Sequence, residues 1–224
     1  MTPDSFQDLG FVIVHGVLDG AGCDAAIAAL AGVALDTAGS RRLLDQPWCA
    51  ALARQLRAHP AVAPLLPADA VAVQCTLFDK SPGRNWLVSL HQDLSIPVRE
   101  RIDAPGCAGW SEKEGVTCVQ PPPEVLASLV AARLHLDDCG SDNGPLRVVP
   151  RSHALGLISD GMLASRRGEF SAIDCPVPRG GVLAMRPLLL HASSKARSPA
   201  HRRVLHFVFG PAALPLGLRW HWSA

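Results

Sequence analysis

The chain has 224 residues, of which 48% are hydrophobic, and a formal net charge of +1. This size and apolar content predict one domain, residues 1–224, with a sizeable core, and the near-zero charge disfavours nucleic acid and membrane partners. There is no run of about 18 apolar residues and no basic segment at the start, so we expect neither a membrane span nor a signal peptide. Seven cysteines without a Cys-x-x-Cys pair favour a reducing cytoplasm, so we expect a cytoplasmic protein.

The first third of the sequence predicts one strand and two helices. Phe11–Val14 is a short run of β-forming residues. Asp19 is placed to cap an alanine-rich helix near Ala21–Leu30. Pro47 is typical of the first turn of a second helix, which should end before Pro60.

From Val71 onwards the sequence predicts a β protein, because short apolar runs recur between Gly, Pro, Asn and Asp residues. A tight turn is expected around Asn143-Gly144. The stretch Ser95–Glu124 is too long for a simple turn, so we expect it to form a lid over the site, with a solvated insertion as the alternative. The predicted strands are Val71–Phe78, Trp86–Leu90, Val130–Leu136, Leu146–Val149, Val182–Met185, Leu188–Leu190 and Val204–Phe209.

The leading candidate for metal binding is the triplet His91-Gln92-Asp93. Residues i and i+2 of an extended segment point to one face, roughly 6–7 Å apart, so His91 and Asp93 can bind one ion. Two imidazoles and one carboxylate are the ligands of a facial-triad Fe(II) site, which leaves positions open for substrate and O2. A second His-x-Asp triplet begins at His135. We favour the first because it ends an apolar run and opens into the Ser95–Glu124 stretch.

The third ligand has to come from a distant part of the chain. His191 follows the apolar run Leu188–Leu190 and enters a polar stretch, so it lies at a strand end, where a ligand is expected. His153 is better placed in a structural loop. His206 lies an even number of residues after Arg202, so it is on the same face of the strand and could also face the pocket. The other candidates are His201 and His221.

A 2-oxo acid co-substrate would need a buried cation for its far carboxylate. Arginine suits this role because its planar fork binds a carboxylate through two hydrogen bonds. Arg202 and Arg203 open the last apolar run, and strand alternation should turn one of them inward and the other towards solvent.

In order and spacing, these motifs resemble the phytanoyl-CoA dioxygenase family of Fe(II)/2-oxoglutarate oxygenases over nearly the whole chain. The resemblance implies a mainly β fold, a double-stranded β-helix (jelly-roll or cupin-like) barrel with supporting N-terminal α-helices. The residues that carry it lie in segments 77–82, 86–93, 136–138, 142–153 and 191–203.

The resemblance also implies that His91, Asp93 and His191 hold Fe(II). In the family a hydroxyl two residues after the third ligand and an arginine eleven residues after it form one cassette, which places Ser193 and Arg202 on 2-oxoglutarate. The implied enzyme is a dioxygenase that hydroxylates an unactivated C–H of a small molecule, consuming O2 and releasing succinate and CO2. Related halogenases lack the carboxylate ligand, so Asp93 favours hydroxylation, or desaturation or ring formation.

Four residues are candidates for binding the substrate: Gln74, Lys80, Trp86 and Arg133. Gln74 could instead lie at a sheet edge, Trp86 in the core and Lys80 in a turn. Arg133 is notable because it interrupts an apolar strand. One departure from the family is Arg151, which stands where the family usually has glycine before Ser-His.

Two other functions stay open at this stage. One is a cupin-like metal enzyme that does not use 2-oxoglutarate, and it predicts no role for Arg202. The other is a non-catalytic small-molecule-binding barrel, which loss of a metal ligand would favour. The sequence does not choose the substrate or the oligomeric state.

Overall fold

The computed structural model describes residues 3–33, 40, 42–166 and 168–224, and antiparallel strands make up most of its regular structure. The helices are α1 (Pro3–Leu9), α2 (Gly20–Leu30), α3 (Pro47–Ala58), α4 (Pro123–Ala127) and α5 (Asp160–Ser165). The strands are β1 (Phe11–Val14), β2 (Ala70–Lys80), β3 (Val88–His91), β4 (Ile96–Pro97), β5 (Ala108–Lys113), β6 (Val116–Gln120), β7 (Val130–His135), β8 (Leu146–Val148), β9 (Ile173–Cys175), β10 (Val182–Met185), β11 (His191–Ser193) and β12 (Arg202–Pro211). The prediction of a mainly β fold with N-terminal helices is confirmed.

The largest sheet has five strands in the order β1-β10-β7-β12-β2, and its outer face is covered by the N-terminal helices. Leu205 and Phe207 of β12 belong to one apolar cluster with Phe6, Leu52 and Leu56 from the helical segment. Because both faces of this sheet are buried, β12 can be apolar almost throughout, without an alternating polar side.

A second sheet, in the order β3-β11-β8-β9, packs against the inner face of the first. Leu146 and Val148 of β8 share a cluster with Phe11, Leu183 and Met185 of the large sheet. Two antiparallel sheets that enclose a core between them, with partners that are distant in sequence, form the predicted jelly-roll architecture.

The helix prediction for the first third is confirmed. The Asp19 carboxylate accepts a hydrogen bond from Gly22 N at 2.7 Å and so caps α2. Helix α3 begins at Pro47 and ends at Ala58, before Pro60. No helix within the described ranges is long and apolar enough to cross a bilayer.

One predicted strand is wrong. Leu188–Leu190 forms a turn, in which Leu189 N donates to Arg186 O at 3.0 Å, and the strand begins only at His191. Pro187 has no N–H for a ladder, so an apolar run after it was a poor strand candidate. These leucines are nevertheless buried, and each packs into a different apolar cluster.

The stretch Ser95–Glu124 is more regular than the sequence suggested. It holds a three-stranded sheet, β4-β6-β5, and the start of α4. Residues Glu114 and Gly115, with φ of 54° and 77°, form the turn between β5 and β6. Val98 and Val119 pack with Trp220, which fixes this small sheet beside the two larger ones.

Candidate metal centre

His91 and His191 face each other across the smaller sheet. They are register partners in the β3–β11 pair, and their ring centroids lie 4.2 Å apart. Each Nδ1 lies close to a backbone carbonyl two residues earlier: His91 Nδ1 is 2.8 Å from Ser89 O, and His191 Nδ1 is 2.9 Å from Leu189 O. A carbonyl only accepts, so each Nδ1 carries the proton and each Nε2 keeps its lone pair for a metal.

Asp93 completes the group from just beyond the end of β3. Its Oδ1 is 3.8 Å from His91 Nε2, and its Oδ2 is 3.6 Å from His191 Nε2. Its backbone N donates to Pro187 O at 2.9 Å, which holds the segment against the turn before β11. One ligand atom from each of His91, Asp93 and His191 lies within 4.8 Å of the others. This convergent set of two nitrogens and one oxygen fits Fe(II).

Gln92, between the two ligands, points the other way and anchors the segment. Its side-chain amide donates to Leu188 O at 2.6 Å and to Gly156 O at 2.8 Å, and its oxygen accepts from Ile158 N at 2.9 Å. These bonds fix the backbone from which His91 and Asp93 project.

The electrostatics favour the ligating forms of these groups. Burial opposes ionisation of Asp93, but the three surrounding imidazoles and Arg133 outweigh it and lower the pKa of the carboxyl. Burial lowers the pKa of His191 to about 4. At neutral pH the carboxylate is therefore charged and this imidazole is neutral, as metal binding requires.

A third histidine, His206, lies behind the group without sharing its role. Its Nε2 is 3.8 Å from Asp93 Oδ2, and its Nδ1 is 2.9 Å from Arg133 Nη1. Arginine only donates, so Nδ1 accepts and the proton sits on Nε2, facing the carboxylate. Burial, reinforced by Arg133, lowers the pKa of His206 to about 3, so the ring stays neutral. In this tautomer neither nitrogen has a free lone pair for the metal.

The second His-x-Asp triplet is used differently. His135 is only 1% exposed, and both its ring nitrogens lack a hydrogen-bond partner. Burial lowers its pKa well below the usual histidine value. Asp137 instead holds Arg203, with Nε–Oδ2 at 2.8 Å and Nη2–Oδ1 at 2.7 Å. This carboxylate is therefore engaged on the side of β12 away from the site.

The remaining histidine candidates with described side-chain contacts lie outside the centre. His153 Nε2 is 3.1 Å from the backbone oxygen of Gln7, and His201 Nδ1 is 3.4 Å from Asp79 Oδ1. His221 stacks edge-on against Trp222.

Arg202 and Lys80 form a buried cationic cluster beside the triad. They are register partners in the β12–β2 pair. Arg202 Nη1 donates to Gly144 O and lies 3.4 Å from Ser193 Oγ. Lys80 Nζ donates to Ser193 Oγ at 2.8 Å and to Ser194 O at 2.6 Å. Both side chains end on the same hydroxyl, with no carboxylate among these contacts.

This cluster opens into a cavity of about 210 Å³, here called the inner cavity, lined by Trp86, Arg133, Ser193 and Arg202 together with the triad. Burial and repulsion from Arg202 lower the pKa of Lys80 to about 8, and its Nζ lies 5.3 Å from the centre of the Trp86 ring. Buried cations are costly unless an anion pairs with them, so the inner cavity suits a carboxylate.

A second cavity of about 310 Å³, here called the outer cavity, lies on the other side of Asp93 and His206. Gln74 lines it, whereas Trp86 and Arg133 line the inner cavity and Lys80 lies in the cationic cluster. Position along β2 explains the division: Gln74, Phe78 and Lys80 share one face of the strand, and Phe78, which lies between the other two, lines both cavities.

Sequence reasoning missed the polar residues that the small sheet adds to the outer cavity, including Lys113 and Gln120. The one available signal was the alternation of β5 and β6, which was hidden within a segment read as a loop. The contact between His206 and Arg133 was also missed, although the parity of His206 with Arg202 pointed inward.

The backbone conformation at Arg151 accounts for the glycine that the family usually has at this position. Its φ is 67°, in the left-handed region that glycine tolerates best. Its backbone N donates to Leu9 O at 2.9 Å, and its guanidinium holds Asp8 with an Nη2–Oδ2 distance of 2.6 Å. The position thus needs a glycine-like backbone, and the arginine adds a tie to α1.

The fold and the site define a jelly-roll protein with a two-histidine, one-carboxylate centre and an adjoining cationic cavity. The profile of the phytanoyl-CoA dioxygenase (PhyH) family matches residues 6–204. The chain belongs to this family. No curated protein matches its sequence.

Solved structures share the fold at low identity. The chain is similar to SnoN, a non-heme alpha-ketoglutarate-dependent epimerase from nogalamycin biosynthesis, with 17% identity, 96% of this chain and 82% of that chain covered, and a TM-score of 0.70. It is similar to SnoK, an alpha-ketoglutarate-dependent carbocyclase from the same biosynthesis, with 16% identity, 94% and 83% covered, and a TM-score of 0.65. It is also similar to HygX from Streptomyces hygroscopicus, solved with nickel and 2-oxoglutarate bound, with 18% identity, 96% and 89% covered, and a TM-score of 0.66.

Proposed function

We propose that the protein is an Fe(II)- and 2-oxoglutarate-dependent dioxygenase that hydroxylates an unactivated C–H bond of a small molecule. One substrate, one O2 and one 2-oxoglutarate give one hydroxylated product, one succinate and one CO2. One oxygen atom enters the product and the other enters succinate. Bound iron supplies the O2 chemistry; the protein supplies binding, orientation and a dry site.

The observation that carries this proposal is the cationic cluster beside the triad. Arg202 and Lys80 converge on Ser193 inside the fold, and none of their hydrogen-bond partners among the described residues is a carboxylate. A buried guanidinium and a buried ammonium are costly unless an anion joins them. A co-substrate with a carboxylate at each end satisfies this need, with one end at the metal and the other on Arg202, Ser193 and Lys80.

The residues have separate roles in this proposal. His91, Asp93 and His191 hold the iron and leave its remaining positions for co-substrates. Trp86 and Arg133 bound the inner cavity and limit water around the co-substrate. Gln74 faces the substrate in the outer cavity.

The relatives support the class of enzyme and leave the outcome to experiment. Similar structures include an epimerase and a carbocyclase that depend on alpha-ketoglutarate. Asp93 fills the carboxylate position of the triad, which is why we propose hydroxylation rather than halogenation. A cupin-like enzyme that does not use 2-oxoglutarate would give the buried cations no function.

The test is an anaerobic titration of the metal-free protein with Fe(II) and 2-oxoglutarate, followed by visible absorption. A weak charge-transfer band that needs both components is expected. Arg202→Met should abolish the band, whereas Arg203→Met should keep it, because Arg203 lies on the other side of β12 against Asp137. His135→Ala should keep the band and His91→Ala should lose it. Iron binding without a band would overturn the proposal.

A further inference from the structure

The outer cavity has a mixed lining that comes from both sheets. The large sheet contributes Gln74 and Thr76 beside their register partners Val208 and His206, and Leu126 and Leu129 add apolar surface. The small sheet contributes Gln120 and the ammonium of Lys113, which lies next to the hydroxyl of Ser95. Such a lining fits a molecule with an apolar body and one polar end.

Lys113 gives this lining a positive charge. It is the last residue of β5, and its Nζ donates to Ser95 Oγ at 3.2 Å. Among the described residues that line the outer cavity, the one carboxylate is Asp93, which the metal centre uses. Lys113 is therefore free to meet an anionic group of a bound molecule.

The small sheet fixes where Lys113 stands. Lys113 pairs with Val116 and Ser111 pairs with Cys118, so Lys113 shares a face with Cys118 and Gln120. Cys118, Gln120 and Lys113 all line the cavity. The charged end of a ligand would thus lie on the small sheet, and Asp93 and His206 line the same cavity beside the metal centre.

The size of the cavity limits what lies inside it. A volume of about 310 Å³ suits a small molecule, or the reacting end of a larger one, because the cavity is partly open to solvent. One cation also matches one negative charge better than the two charges of a phosphate ester.

We propose that the outer cavity binds a small monocarboxylic acid, with its carboxylate on Lys113 and its apolar carbon skeleton directed towards Asp93 and His206. This inference rests on the proposed function and names the substrate class for the same site. The hydroxylated position would then lie at the end of the skeleton remote from the carboxylate.

The experiment compares acids with their neutral counterparts. Hexanoate, octanoate and phenylbutanoate, each beside its primary amide, are titrated by calorimetry into the full-length protein loaded anaerobically with Fe(II) and 2-oxoglutarate. A charge-assisted hydrogen bond is expected to make the acid bind about ten-fold tighter than the amide. Lys113→Met should bring the acid-to-amide ratio close to one, and Lys113→Arg should keep the preference. Lys195→Met, which removes an exposed lysine outside both cavities, is the matched control and should not change the ratio.

Several outcomes would overturn the inference. The first is that wild-type protein binds acid and amide equally well, or binds neither. The second is that Lys113→Met still prefers the acid. Tighter binding of octylphosphonate than of octanoate would replace the carboxylate with a phosphate-like ligand. The charge-transfer band is recorded on each sample first. If the wild-type protein shows no band, the proposed function fails. If the band is present but the acid binds no tighter than the amide, only this inference fails.

Discussion

Replacement of His206 tests whether a residue that does not bind the metal controls its affinity. His206 accepts from Arg133 through Nδ1 at 2.9 Å and presents its Nε2 proton to Asp93 Oδ2 at 3.8 Å. His206→Leu removes both contacts, whereas His206→Gln keeps them, because its amide oxygen can accept from Arg133 and its amide nitrogen can donate to Asp93.

The expected size of the effect follows from the surroundings. Loss of a hydrogen-bonded partner of a metal ligand costs about 10–100-fold in metal affinity; His206 faces Asp93 at 3.8 Å, which is longer than a hydrogen bond, so we expect the lower end, about 10-fold, for His206→Leu. The same change removes the acceptor of Arg133, whose Nε already lacks one, and an unsatisfied buried charged group costs about 3 kcal/mol of stability or more. His206→Gln should lose much less on both counts.

Fe(II) affinity is measured anaerobically by calorimetry, and stability by chemical unfolding of the metal-free protein. The double variant Arg133→Met/His206→Leu should recover part of the lost stability, since the buried guanidinium that lost its acceptor is gone, while its metal affinity stays low. Wild-type metal affinity in His206→Leu, or an equal loss in His206→Gln, would refute the role assigned to His206.

Three further predictions concern charge and backbone conformation. The affinity for 2-oxoglutarate should fall as the pH rises through about 8, where Lys80 loses its proton, and Lys80→Met should flatten this dependence in a band titration. The metal-free protein should lose stability as the pH falls below about 6.5, by about 1.4 kcal/mol per pH unit for each buried imidazole, because His135 and His191 have lowered pKa values in the folded state. Unfolding curves that are unchanged between about pH 7 and about pH 5 would contradict this. Arg151→Gly should melt about 2–4 °C above Arg151→Ala, because both variants lose the contact with Asp8 and only glycine relieves the left-handed backbone. Equal melting temperatures of the two variants would contradict this.

The candidate metal ligands could be found from the sequence because their signals are local. His91 and Asp93 are two residues apart at the end of an apolar run, and this spacing alone places both on one face. His191 was recognisable as a polar residue at the junction of an apolar and a polar segment. The cap at Asp19 and the turn into α3 were local for the same reason.

Residues whose position depends on distant pairing could not be placed in this way. Lys80 was expected in a turn or at the substrate, but the register of β2 against β12 brings it to Ser193. Arg133 was noticed because it interrupts an apolar strand, yet its hydrogen bond to His206 depends on the β7–β12 pairing.

The sequence by itself determined the ligand types, the alternation of the strands and the family, since each depends on residue identity and short spacing. Only the tertiary structure decided that the metal centre separates two cavities, that Ser95–Glu124 folds into a sheet, and that Lys113 lies on the outer one. The physical reason is that a strand's own periodicity fixes which side chains share a face. What that face meets is fixed by hydrogen bonds between strands far apart in the chain.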